Sequence, residues 1–66
     1  MRYSNSRLHE LCVEYIHSER DRILFYRRYA DDIGLERLAE EFELSVSQVK
    51  RILKKHYFEV FMHIEN

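Results

Sequence analysis

The run Leu35-Glu36-Arg37-Leu38-Ala39-Glu40-Glu41-Phe42-Glu43-Leu44-Ser45-Val46-Ser47-Gln48-Val49-Lys50-Arg51-Ile52-Leu53 decides how this chain folds. Its apolar residues Leu38, Phe42, Leu44, Val49 and Ile52 recur at helical spacing around one small residue, Ala39, and are interrupted only at Glu43-Leu44-Ser45. That arrangement suits two short helices that cross closely. Ala39 admits the second backbone, Leu44 fills the turn, and Val49 and Ile52 dock the second helix on the first. The opposite side of the second helix, where Gln48 and Arg51 lie, is left facing outward.

Three further helices' worth of signal surrounds this unit. Upstream, Leu8, Leu11, Cys12, Tyr15 and Ile16 predict a helix over 7–17. Ser18-Glu19-Arg20-Asp21 places a hydroxyl cap three residues before a carboxylate, the spacing of a reciprocal capping box, and opens a second helix. That helix carries Ile23, Leu24, Phe25, Tyr26, Tyr29 and Ala30, apolar around most of its girth, and is expected to sit between its neighbours. Asp31-Asp32-Ile33-Gly34 then breaks the pattern with short carboxylates and the single glycine. A third helix follows from Leu35 to about Phe42. The fourth, capped by Ser45 or Ser47, turns Val49, Ile52, Leu53, His56, Val60 and Ile64 inward and extends to about Glu65. Its span of roughly 30 Å, at ~1.5 Å per residue, exceeds what a small core covers. The expected fold is all-α: one domain over residues 1–66, with a bihelical unit at about 35–56 and an extension over 57–66.

Size and composition narrow the function. A chain of 66 residues hides only roughly 60% of its unfolded surface, which leaves little interior for an enclosed catalytic pocket. No nucleophile stands beside a base, and no glycine-rich phosphate loop is present, so the chain reads as a binding protein rather than an enzyme, with no cofactor. The lone Cys12 cannot close an intrachain disulfide, and His9 with Cys12 is the only His/Cys pair at helical ligand spacing, too little for a metal site. There is no apolar run of the roughly 18 residues that a membrane span requires and no leader-like N-terminus, so a cytoplasmic location without membrane contact is expected. Net charge is −1, yet its distribution is uneven. Asp31, Asp32, Glu36, Glu40, Glu41 and Glu43 face only Arg37 between Asp31 and Leu44, whereas Lys50, Arg51, Lys54 and Lys55 meet no acid between Ser45 and Phe58. Positive charge is gathered on one helix.

Over Ser18 to His56 the chain resembles the helix-turn-helix DNA-binding superfamily, and in particular the fourth conserved region of bacterial sigma factors. The resemblance is carried by the charged opening Glu19-Arg20-Asp21-Arg22, by Arg28-Tyr29 before the bihelical unit, and by Leu38-Ala39-Glu40-Glu41-Phe42 followed by Leu44-Ser45-Val46-Ser47-Gln48-Val49-Lys50-Arg51-Ile52-Leu53. Glu43 replaces the family's usual turn glycine, so the resemblance implies a non-glycine residue at positive φ there, and Gly34 stands where a Ser or Thr cap is usual. The resemblance implies a sequence-specific binder of double-stranded DNA, a transcriptional regulator of a size common in phages and mobile elements. It implies that Ser45, Val46, Ser47, Gln48 and Arg51 face the bases of the major groove. Gln48 has the fork to address adenine, Arg51 the fork for guanine, and Val46 the methyls for thymine. Lys50, Lys54 and Lys55, supported by Arg37 and Arg28, would hold phosphates. An alternative use of the same fold is a protein-interaction module that contacts RNA polymerase or a sigma factor.

Beyond that unit, Phe58 and Met62 fall opposite the Val49-Ile52-Val60 stripe and in line with Arg51. Either the helix bends near His56-Tyr57 or these residues, with Phe61, form a contact between two copies. The sequence favours a homodimer, which would cover that surface and double the phosphate contacts, with binding of another protein to the same patch as the alternative.

Overall fold

The computed structural model describes residues 4–64; the inward placement of the Ile64 side chain and the extension of the fourth helix to about Glu65 lie outside the described residues. Four helices follow one another: α1 (Asn5–Tyr15), α2 (Glu19–Tyr29), α3 (Leu35–Phe42) and α4 (Val46–Ile64). Among the described residues there is no strand, and no helix is long and apolar enough to cross a membrane.

A serine hydroxyl satisfies a free backbone donor at the start of α1, α2 and α4, and α3 starts at Gly34 without one. Ser4 Oγ accepts from the Arg7 N–H, so α1 begins two residues before the apolar pattern does. It also ends earlier than expected. Ile16 adopts an extended conformation and is buried by the turn itself rather than as part of a helical face. Ser18 Oγ accepts from the Asp21 N–H and opens α2. The Asp21 carboxylate does not complete the capping box; it turns inward, as described below.

Between α2 and α3, Asp32 takes a φ of 58°, and the Arg28 guanidinium donates to the Ile33 carbonyl at 3.0 Å, bracing the turn. Gly34 caps α3 with φ −68° and ψ 157°, a conformation open to any residue, and makes no side-chain capping bond. At the other end of α3, Glu43 sits in the left-handed region (φ 56°, ψ 45°), as expected for that turn position. There the Glu43 N–H donates to the Glu40 carbonyl at 3.3 Å and the Leu44 N–H to the Ala39 carbonyl at 2.8 Å. This pair of bonds is the Schellman pattern, normally built on glycine because L side chains crowd their own carbonyl in that region.

The core lies where α4 crosses the other three helices. Leu8, Leu11 and Cys12 of α1, Leu24 and Phe25 of α2, Leu38 and Ala39 of α3, and Val49, Ile52, Leu53 and Val60 of α4 form one buried cluster. Burial pushes the Cys12 thiol up to about 11 against the opposing effect of the Arg22 charge, which leaves it an inert core residue. His9 is exposed and meets the Tyr26 ring edge-on, so it does not share the Cys12 environment.

Two expectations from the sequence change. Ile23 is 46% exposed, because α2 is covered on the Leu24-Phe25 side only and its opposite flank is open. The far end of α4, expected to outrun the core, is covered along one side by α1 and α2. The Tyr15 and His63 rings stack at 4.4 Å, and Phe61 packs on Phe25 and Tyr29. Phe61 is therefore a half-buried intrachain contact, set apart from the outward Phe58.

Both loop ends of α3 can be improved. Nothing lies within 4 Å of a Cβ added at Gly34, so Gly34→Ser is expected to add a capping oxygen and stiffen the unfolded chain, raising stability by about 0.5–1 kcal/mol. Glu43→Gly should relieve the left-handed backbone by a similar ~0.5–1 kcal/mol net of glycine's entropy. In a domain this small, each gain should appear as a rise in Tm of roughly 2–8 °C in thermal melts followed by circular dichroism.

Candidate nucleic-acid interface

The outward side of α4 is built from its first turn upward. Ser45 Oγ accepts from the Gln48 N–H at 3.1 Å while Gln48 Oε1 accepts from the Ser45 N–H at 2.9 Å, a reciprocal capping box. Ser45, Ser47, Gln48 and Arg51 are all exposed. Val46 is half-buried and packs on the core, so only part of its side chain is presented outward. Gln48 is outward but occupied. For it to address an adenine through both its oxygen and its nitrogen, its oxygen must share or give up the bond to Ser45.

Shallow concavities flank α4. On one side Arg28, Lys50 and Lys54 surround a concavity of about 290 Å³ with Tyr29, Leu35, Leu53 and Tyr57, where the two tyrosine rings stack at 5.9 Å. On the other, Arg20 joins Gln48, Arg51, Leu44 and Ile52 around a smaller one of about 190 Å³. Lys55 is exposed farther along the helix. The fold thus brings Arg28 to Lys50 and Lys54, as the sequence suggests. It does not bring Arg37 with them: that guanidinium stays with Glu41, at 3.5 Å, on α3.

The cations divide into two groups. Arg7 pairs with Glu10, Arg20 with Asp21, and Arg27 with Glu41 and, more loosely, Asp31. Arg22 and Arg28 donate to backbone carbonyls, of Ile16 and Ile33. Among the described residues, no ion pair holds Lys50, Arg51, Lys54 or Lys55. The helix that lacks neighbouring acids in sequence also lacks them in space.

Sequence reasoning missed Arg20, together with the reason it stands where it does. Asp21 and His56 are each only 6% exposed, and His56 Nε2 lies 3.2 Å from Asp21 Oδ2. The other carboxylate oxygen accepts from Arg20 Nε and Nη2 at 3.1 and 3.0 Å. Burial by itself would raise the Asp21 pKa, but the hydrogen bonds from His56 and Arg20 and their charges outweigh it and hold it below the usual value. The buried carboxylate ties the middle of α4 to the start of α2 and fixes Arg20 beside Arg51. The inward period of α4 identifies His56 as a core residue, but no local pattern identifies its partner, 35 residues away. The second imidazole nitrogen, Nδ1, is buried without a hydrogen bond among the described residues, with Glu59 Oε1 3.9 Å away.

Comparison of the chain with known protein families, with curated proteins and with solved structures finds no match.

Because the folded Asp21 titrates below its unfolded value, its contribution is present above about pH 4 and is lost as pH falls through the folded pKa. Asp21→Asn should therefore lower stability by about 2 kcal/mol at pH 7, and the gap to the wild type should narrow below pH 4. Urea unfolding of both proteins at pH 7 and pH 3 measures this; a constant gap would show that the charge of Asp21 is irrelevant.

Proposed function

We propose that this chain binds double-stranded DNA in a sequence-dependent manner, with the N-terminal half of α4 in the major groove, and acts as a regulator of transcription rather than as an enzyme. The observation that carries the reading is the charge arrangement: Lys50, Arg51, Lys54 and Lys55 are exposed and unpaired by carboxylates among the described residues, while Arg7, Arg20, Arg27 and Arg37 each have an acidic partner. A polyanion neutralises such a helix face without first breaking internal ion pairs.

The two flanks then take separate roles. Arg28, Lys50 and Lys54 on one side and Arg20 on the other meet phosphates and set the depth and angle of α4, which carries no sequence information by itself. Arg51 reaches a guanine edge through two parallel hydrogen bonds, and Ser45, Ser47 and the exposed part of Val46 complete the reading surface. Gln48 contributes adenine recognition when DNA replaces part of its capping bond. Free backbone N–H groups at the start of α4 add donors for a phosphate.

A second reading, a module that docks on RNA polymerase or a sigma factor, is favoured by α3. There Glu36, Glu40 and Glu43 are exposed and, among the described residues, hold no ion pair. This surface lies off the basic face and suits a basic protein partner.

Titration of selected and random duplexes at two salt concentrations separates the readings. DNA binding predicts a preference for the selected duplex and a fall in affinity with salt whose logarithmic slope reflects about four phosphate contacts. Arg51→Ala should cost roughly tenfold or more and erase the preference, whereas Lys54→Ala should weaken all duplexes alike and reduce the slope by about one. Salt-insensitive or absent duplex binding, with Glu36 and Glu40 needed to retain RNA polymerase, would establish the second reading instead.

A further inference from the structure

Phe58 is the most exposed large apolar side chain described, at 72% of its surface, although α4 runs unbroken past it. The continuity of the helix removes the bend that would have carried it into the core. The Val49, Ile52, Leu53, His56 and Val60 stripe keeps its helical period on the buried side. Ser47, Arg51, Lys54 and Phe58, at steps of four, three and four, therefore line up on the opposite side. Phe58 shares the face of α4 that carries Arg51 and Lys54.

Charge selects the occupant of this face. Arg51, Lys54 and Lys55 lie on this side of α4 with no ion pair among the described residues, Lys54 shares one concavity with Tyr57, Phe58, Phe61 and Met62, and Glu59, the one acid of α4, lies on the flank toward His56. A second copy docked through Phe58 would cover Arg51 and Lys54 on the same side, so such a dimer competes with DNA rather than aiding it. A polyanion fits the same face without that conflict. The major groove also holds one apolar group, the C5 methyl of thymine, on which an aromatic ring packs.

We infer that Phe58 is a specificity-determining residue that packs on thymine methyls in the groove occupied by Arg51, extending the site along the DNA. The seven residues from Arg51 to Phe58 advance about 10 Å along the helix, which corresponds to about three base pairs at ~3.4 Å each. This inference rests on the DNA-binding reading. It assigns Phe58 to the nucleic acid, in place of the contact between copies that the sequence suggests.

The test uses the full chain and a duplex selected from random sequence by the wild type. Each thymine is replaced in turn by uracil, which deletes the methyl and leaves pairing intact. One or two replacements about three base pairs beyond the position read by Arg51 should weaken the wild type by about three- to fivefold, the worth of one buried methyl, and should leave Phe58→Ala unaffected. Phe58→Ala should itself bind about tenfold more weakly with an unchanged salt slope, and Phe58→Leu should recover most of the loss. The side chain is exposed, so both variants should melt as the wild type does.

Equal affinity of Phe58→Ala and wild type, or an equal uracil penalty in both, overturns the inference while leaving the Arg51 reading intact. A sedimentation mass that falls from two chains to one in Phe58→Ala, with the uracil penalty retained, assigns the face to a second copy. No binding of any duplex by the wild type removes this inference together with the reading beneath it.

Discussion

The turn between α3 and α4 sets everything that follows it. Glu43 accepts a left-handed backbone so that the carbonyls of Ala39 and Glu40 close on the N–H groups of Leu44 and Glu43, and this directs α4 back across α3. The small side chain of Ala39 leaves room at the crossing, where Leu38, Val49 and Ile52 are buried. The strain at Glu43 persists because the bonds and packing around it leave the chain no other route. With that angle fixed, Val46 and Val49 turn toward the core while Ser45, Ser47, Gln48 and Arg51 stay exposed.

A second constraint acts at the middle of the long helix. Just beyond Leu53 the His56–Asp21 contact anchors α4 to α2. Leaving such a carboxylate buried without its partners would be costly, so the same bonds that satisfy Asp21 fix Arg20 on the surface. Core and surface are joined through one side chain. Farther on, the Tyr15–His63 stack and the packing of Phe61 on α2 hold the last turns of α4, so the helix is supported along one side while its basic face stays open.

The charge pattern follows from the same geometry. An overall balance near neutrality hides a division between arginines spent on internal pairs and the cations of α4, which have none among the described residues. Asp21 and Glu41 are held by internal pairs, and Glu36, Glu40 and Glu43 of α3 and its turn make no ion pair with the basic helix among the described residues. Phe58 adds an exposed aromatic ring to that basic face.

Local chemistry was legible in the sequence. Ser18 and Ser45 mark their helix starts, the Leu35–Phe42 helix falls where its apolar period ends, and Glu43 takes a left-handed backbone so that it and Leu44 satisfy carbonyls three and five residues back. Such choices depend on residues three to five positions apart, and those are adjacent in any helix. The outward placement of Gln48, Lys50, Arg51 and Lys54 follows from the same periodicity. What lay beyond reach depends on residues far apart in the chain. Asp21 reads locally as a capping carboxylate but turns to His56, Ile23 reads as core but has no helix above it, and Phe61 reads as a partner of Phe58 but is taken up by Phe25 and Tyr29. Periodicity states which side of a helix is apolar; only the packing of all four helices decides how much of that side is covered, and by what.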